Sequence, residues 1–207
     1  HMHMTMRFGN DEKAREIAQH IKAAGGNSTW DRLGEYLGDL EHKNQFVINR
    51  SFKAPIEEVF ELWTNPELIP KWLPPSGMKM QYLRADIRSG GSTFYKMGND
   101  QMTLYGRTVY TRVTPVTQLV TLQQFCDRDE KLSRHPLAPL FPEGMLNIIT
   151  FTAEGPFQTR VTLTSEPHGQ STHEEEAMFV SARSGMHLGY SASFDKLEEL
   201  LSGPVGA

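Results

Sequence analysis

The chain has 207 residues, 38% of them hydrophobic and 22% charged, with a formal net charge of −4. That balance suits one sizeable globular domain plus an appendage, and it excludes a dedicated nucleic-acid binder, which would carry runs of Lys or Arg. The single cysteine, Cys126, rules out an internal disulfide and fits a reducing cytoplasm, and no apolar run is long enough to span a membrane.

His1-Met2-His3-Met4 reads as a cloning remnant before a start at Met4 or Met6, with no signal-peptide pattern. Asn10 can cap a first helix, with Asp11 and Glu12 in its first turn. Ala14, Ile17, Ala18, Ile21 and Ala24 then fall on one helical stripe, which Gly25-Gly26 ends. Ser28 and Asp31 open a second helix in which Trp30, Leu33, Leu37 and Leu40 share a face. Residues 1–44 are therefore predicted to hold an N-terminal helical hairpin extension. A hairpin of that size cannot bury a core of its own. Its apolar faces must cover either the main domain or a second subunit, which makes a homodimer through the hairpin one candidate assembly.

The second domain, residues 45–203, opens with a strand over 45–52, where side chains alternate. Pro55 suits the first turn of a helix, to which Val59, Phe60, Leu62 and Trp63 give an apolar side. Asn65-Pro66 breaks it, and a short helix over 67–72 follows. The period then changes to two. Strands are predicted over 79–88, 92–98, 103–112, 118–126, 145–154 and 158–166, separated by turn residues such as Gly90-Gly91 and Gly155-Pro156. Six strands on short turns make an antiparallel meander. One connection is longer. Asp127–Gly144, with Pro136, Pro139 and Pro142, reads as a lid or an ordered cover over one end of the sheet.

A long helix closes the chain over 172–202. Thr172 and Glu175 form a capping box, and Gly203-Pro204 stops it. Phe179, Met186, Tyr190, Phe194, Leu197 and Leu201 form one stripe, which is expected to cover the sheet. Ser181, Ser184, Gly185, Gly189, Ser191 and Ala192 make the back of the helix small and polar. Arg183 projects onto the apolar stripe and His187 onto its edge. Each is either a satisfied structural residue or a polar group placed in a ligand cavity.

Phe46-Val-Ile-Asn-Arg-Ser-Phe-Lys-Ala-Pro55, Val59-Phe-Glu-Leu-Trp-Thr-Asn-Pro66, Trp72, Asp86-Ile-Arg-Ser-Gly-Gly91 and the ending Gly189-Tyr-Ser-Ala-Ser-Phe194-Asp-Lys-Leu-Glu-Glu-Leu-Leu201 together resemble one family. It is the family named for the activator of the heat-shock protein 90 ATPase. Arg134-His-Pro-Leu-Ala-Pro139 followed by Met145 is similar to a bacterial branch of it. The resemblance covers about three quarters of the chain. Tyr190 stands where the family usually has Trp. It implies an α+β helix-grip fold, START/Bet v-like, in which a curved antiparallel sheet of about seven strands holds a long C-terminal helix. Such folds bind lipids and other apolar molecules, cyclise polyketides, or bind a chaperone. The family's co-chaperones carry a larger N-terminal domain than this hairpin, which argues against a chaperone partner.

Local motifs for chemistry are sparse. No phosphate loop and no Cys-x-x-Cys occur, and His168 and His173 flank a turn without a third ligand, so neither a metal nor a cofactor is expected. Ser184 and His187 lack an orienting acid. What remains is a cavity between sheet and helix. Its candidate lining is Arg183, His187, Phe179, Met186, Tyr190, Phe194, Tyr82, Tyr105, His135 and Phe141. Arg183, His187, His135 and the tyrosines, Tyr110 among them, are the acid/base candidates, whereas Trp63 and Trp72 are assigned to supporting the short helices. The expected partner is a small apolar molecule or lipid. An enzyme of polyketide cyclase or hydrolase type, and a protein-interaction module, are the alternatives.

Overall fold

The computed structural model describes residues 45–203. Residues 1–44, where the helical hairpin is predicted, and residues 204–207 lie outside the described residues. The elements run β1 (Phe46–Phe52), α1 (Ile56–Thr64), α2 (Ile69–Trp72), β2 (Lys79–Ala85), β3 (Ser92–Gly98), β4 (Thr103–Thr114), β5 (Gln118–Cys126), β6 (Gly144–Gly155), β7 (Gln158–Pro167) and α3 (His173–Ser202). The seven strands form one antiparallel sheet in the order β1-β7-β6-β5-β4-β3-β2. The meander of β2 to β7 is as predicted, and β1 closes it by pairing with β7, Phe46 opposite Ser165.

Alternation assigns each strand residue to a face. Phe46 and Ile48 of β1, Val161 and Leu163 of β7, Met145, Ile149 and Phe151 of β6, and Leu119 of β5 all point inward. There they join Val59, Trp63 and Trp72 of the short helices and Phe179, Phe194 and Leu197 of α3 in one core. Breaks in register at Tyr82/Arg84, Tyr110/Arg112 and Ala153/Gly155 bend the strands around that core. The strand predicted over 79–88 ends at Ala85. Beyond Ala85 the chain turns so sharply that a Cβ on Gly91 would lie 2.3 Å from the Asp86 carbonyl oxygen, and Gly90 sits at φ +80°. The Asp86–Gly91 motif is thus a turn that needs glycine at both of its last two positions, Gly90 for its φ and Gly91 for the close approach to Asp86.

The start of α3 is built as predicted. The Thr172 hydroxyl accepts from the Glu175 N–H at 3.2 Å, and the Glu175 carboxylate accepts from the Thr172 N–H at 2.8 Å. Its C-terminal half is tied to the end of α2. The Ser193 hydroxyl donates to the Leu73 carbonyl at 2.9 Å, and Lys196 donates to Pro74. The Arg50 guanidinium on β1 pairs with Asp195 and lies over the Phe194 ring at 5.7 Å. α3 therefore leans on β1, α1 and α2 and stands away from β3, β4 and β5.

Candidate ligand cavity

The gap left by that lean is a cavity of about 560 Å³. Its floor is the inner face of the sheet and its roof is α3. One end is apolar, with Trp63, Trp72, Ile69, Leu119, Ile149 and Leu163. The other is polar, with Tyr82, Tyr95, Tyr110, Thr121, Gln123 and Asn147. Register explains the polar end. Tyr110 faces Thr121, Thr121 faces Asn147, and Asn147 faces Ser165, so one inward row crosses four strands with hydrogen-bonding side chains. The row beside it, Leu119–Ile149–Leu163, is wholly apolar.

Tyr95 reaches into the polar end because β4 has no side chain beneath it. A Cβ on Gly106 would come within 2.4 Å of the Tyr95 ring. The Tyr95 hydroxyl accepts from Gln123 Nε2 at 3.1 Å, and Tyr82 packs edge-on against the Tyr95 ring at 6.3 Å. Burial pushes Tyr95 well above the usual phenol value, against the opposing effect of Gln123. Burial, the neighbouring phenols and a hydrogen bond to Tyr110 raise Tyr82. Burial also pushes Tyr110 and Tyr190 up to about 12. All four phenols stay protonated at neutral pH and act as hydrogen-bond donors or acceptors, not as bases.

Five of the residues nominated from sequence line the cavity: Met186, Tyr190, Tyr82, His135 and Phe141. The other five lie elsewhere. Phe179 and Phe194 are fully buried in the core. Tyr105 is five residues from the inward Tyr110 on the same strand and points outward, stacked on Phe94 at 6.0 Å. Arg183 donates to the Gln45 carbonyl at 3.0 Å, beside β1, and the His187 ring is 3.4 Å from the Ser191 hydroxyl one turn along α3. Trp63 and Trp72, assigned to helix support alone, do that and also form cavity wall. The Trp72 indole donates to the Leu62 carbonyl at 2.8 Å. Gly185 and Gly189, taken for the back of α3, face the cavity with Ala182 and Ser193. At 100° per residue this face is turned about 90° from the centre of the apolar stripe.

The 127–144 segment forms the cavity's third wall through His135, Ala138 and Phe141. It is folded by its own turns. The Asp127 carboxylate accepts from the Asp129 and Lys131 N–H groups at 2.9 Å each, and Ser133 N–H donates to the Phe125 carbonyl at 3.0 Å. Arg134 fastens it to α3 by pairing with Glu175, and holds Glu143 at 3.0 Å. Glu175 thus serves two partners, capping the helix with one oxygen and holding Arg134 with the other. The Thr172 N–H first, and Arg134 second, lower its pKa below 4.5. The resulting stability is complete above the unfolded value near 4.5 and is lost as pH falls through the lower folded value. Glu175→Gln will make the acid limb of stability against pH shallower, as read by thermal melts between pH 3 and 6.

His135 packs edge-on against Phe125 at 4.8 Å, and its Nδ1 accepts from the Leu137 N–H at 3.1 Å. Burial lowers its pKa from 6.5, so the folded state favours the neutral ring with its proton on Nε2. That contribution is present above the unfolded value and disappears as pH falls through the folded one. An NMR titration will place His135 below 6.5, with the Leu137 amide losing exchange protection over the same range.

A curved antiparallel sheet that holds a long C-terminal helix over a cavity defines the helix-grip class. Within that class the chain belongs to the Activator of Hsp90 ATPase homolog 1-like protein family, whose family model matches residues 53–202. No curated protein matches the sequence. Solved structures with the same fold include protein Ms6760 of Mycobacterium smegmatis, 22% identical with TM-score 0.64 over 79% of this chain and 93% of that one. A Staphylococcus epidermidis protein is 26% identical with TM-score 0.61 over the same shares of the two chains. A Silicibacter pomeroyi protein is 16% identical with TM-score 0.58 over 76% of this chain and 97% of its own. Among the described residues no helix is long and apolar enough to cross a membrane, and no cluster of His, Cys, Asp and Glu is arranged to hold a metal.

Proposed function

We propose that the chain binds a neutral, largely apolar small molecule, such as an uncharged lipid or polycyclic compound, between the sheet and α3. One observation carries this reading: among the described residues, the cavity walls contain no Asp, Glu, Lys or Arg. A charged ligand group there would be desolvated without a partner, which costs several kcal/mol or more. A neutral ligand with one or two hydrogen-bonding groups fits, its apolar body against Trp63, Trp72 and Leu163 and its polar group beside Tyr95, Gln123 and Asn147. The volume lies in the range of small-molecule sites, about 300–1,000 Å³.

Catalysis of the cyclase or hydrolase type is the less supported reading. The phenols are held protonated, Arg183 and His187 lie outside the cavity lining, and His135, the one imidazole among the described lining residues, has its pKa lowered by burial, which favours the uncharged ring. The family's description names a chaperone activator. The cavity, a small-molecule feature, supports ligand binding as the primary role.

Native mass spectrometry of the purified protein, with a denaturing run beside it, tests the proposal. A neutral molecule released on denaturation supports it. Binding is also open to titration by quenching of Trp63 and Trp72. Saturation by a fatty acid anion with no response to its methyl ester would overturn the neutral-ligand assignment.

A further inference from the structure

An antiparallel sheet covered on one side normally turns polar residues outward. Here much of the outer face follows that rule, with Asn49, Thr162, Thr150 and Gln118 in one row and Arg107 and Gln124 in another. Between these polar rows lie two apolar ones. Val47, Ile148 and Val120 occupy the first, with Thr164 between Val47 and Ile148. Leu146, Leu122 and Val109 stand side by side in the second. None of the six belongs to the core clusters, and all are only half-buried. The helices α1, α2 and α3 pack on the opposite face. A contiguous apolar band with polar borders marks a surface that another polypeptide covers.

We infer that the occupant is this chain's own N-terminal segment, residues 10–42. Its dimensions match the band. From β1 to β4 the band runs obliquely across four strand spacings, about 19 Å, and is two residue rows wide, about 7 Å apart, on β6 and β5, with Arg112 ending the first row on β4 and Glu166 the second on β7. A helix over residues 10–24 would be about 22 Å long and 10 Å across. Its sequence matches too. Residues 10–40 carry two apolar stripes, Ala14–Ile17–Ile21 and Trp30–Leu33–Leu37, which have no core of their own to fill. Its attachment point is adjacent. Only residues 41–44 separate Leu40 from Gln45, a reach of about 14 Å, and Val47 at the edge of the band follows two residues later. The segment closes the outer face of the sheet as α3 closes the inner one.

The test is limited trypsin digestion of the intact chain, with molar mass measured by light scattering in the same samples. Lys22 and Arg32 report on the segment. Ile148→Glu with Leu122→Glu is expected to raise cleavage there at least tenfold while the protein stays monomeric. Leu33→Glu with Leu37→Glu is expected to do the same without touching the sheet, so the proposal stands or falls on it if the sheet variant does not fold. Equal cleavage in the wild type and in the segment variant would overturn the inference. So would a wild-type dimer that Ile148→Glu converts to a monomer with cleavage unchanged, since a second copy would then be the cover.

Discussion

Trp72→Ala will destabilise the protein by about 3–5 kcal/mol, the range for removing a buried aromatic residue from a core. Trp72 is 1% exposed, its ring centroid is 4.7 Å from that of Trp63, and its indole N–H is bound to the Leu62 carbonyl. It is the main anchor of α2, a helix of four residues that could not persist alone. The loss should spread, because α2 is where the second half of α3 is fastened, through Ser193 and Lys196. Urea unfolding will show a lower midpoint with an unchanged slope, the mark of a change in stability alone. A loss under about 1 kcal/mol would mean that the site collapses around the missing ring and that α2 is not a fixed wall.

Gly189→Phe will reduce ligand affinity by at least about 100-fold, or ~2.7 kcal/mol, and leave the fold intact. A Cβ at Gly189, and likewise at Gly185, would meet nothing within 4 Å, so the new side chain enters space that the ligand needs. Two glycines one turn apart inside a helix are themselves unfavourable, by about 0.5–1 kcal/mol each relative to alanine. The paired Gly185→Ala and Gly189→Ala variant should therefore melt higher than the wild type and still bind. Dye displacement or Trp quenching reads the affinity, and a thermal melt reads the stability. If phenylalanine at 189 binds as tightly as glycine, the space under α3 is not where the ligand sits.

The same pair of residues shows what was legible in the sequence. The capping box, the stop and the apolar stripe of α3 could be read from spacing, because those signals are local. Which neighbour each flank of the helix meets could not, since a helical projection gives relative angles and not the direction of the sheet. Gly185 and Gly189 were thus placed on the back when they form the cavity roof. Tyr105 was a different kind of miss. Its odd separation from Tyr110 puts the two on opposite faces of β4, and pairing Tyr110 with Thr121 identifies the inward one. Asn147 was also within reach of the same rule, being in phase with Met145, Ile149 and Phe151 on β6. A polar residue in step with an inward apolar series is a candidate site residue, and the row Tyr110–Thr121–Asn147–Ser165 is made of such residues. The roles of Trp63 and Trp72 in the wall depend on long-range packing that no local pattern encodes.

The pairing of β1 with β7 has a consequence for how the protein is made. Phe46 and Ser165 are neighbours in the sheet and 119 residues apart along the chain. On the ribosome, at about 5–20 residues per second, the first strand emerges roughly 6–24 s before its partner exists. During that interval the meander from β2 onward can assemble hairpin by hairpin, but the apolar side chains of β1 and the open edge of β6 have nothing to close on. Nascent chains stalled before residue 165 are therefore the aggregation-prone species. The last seam of the sheet to form joins its first strand to its last, and α3, made later still, can lock over the sheet only after it.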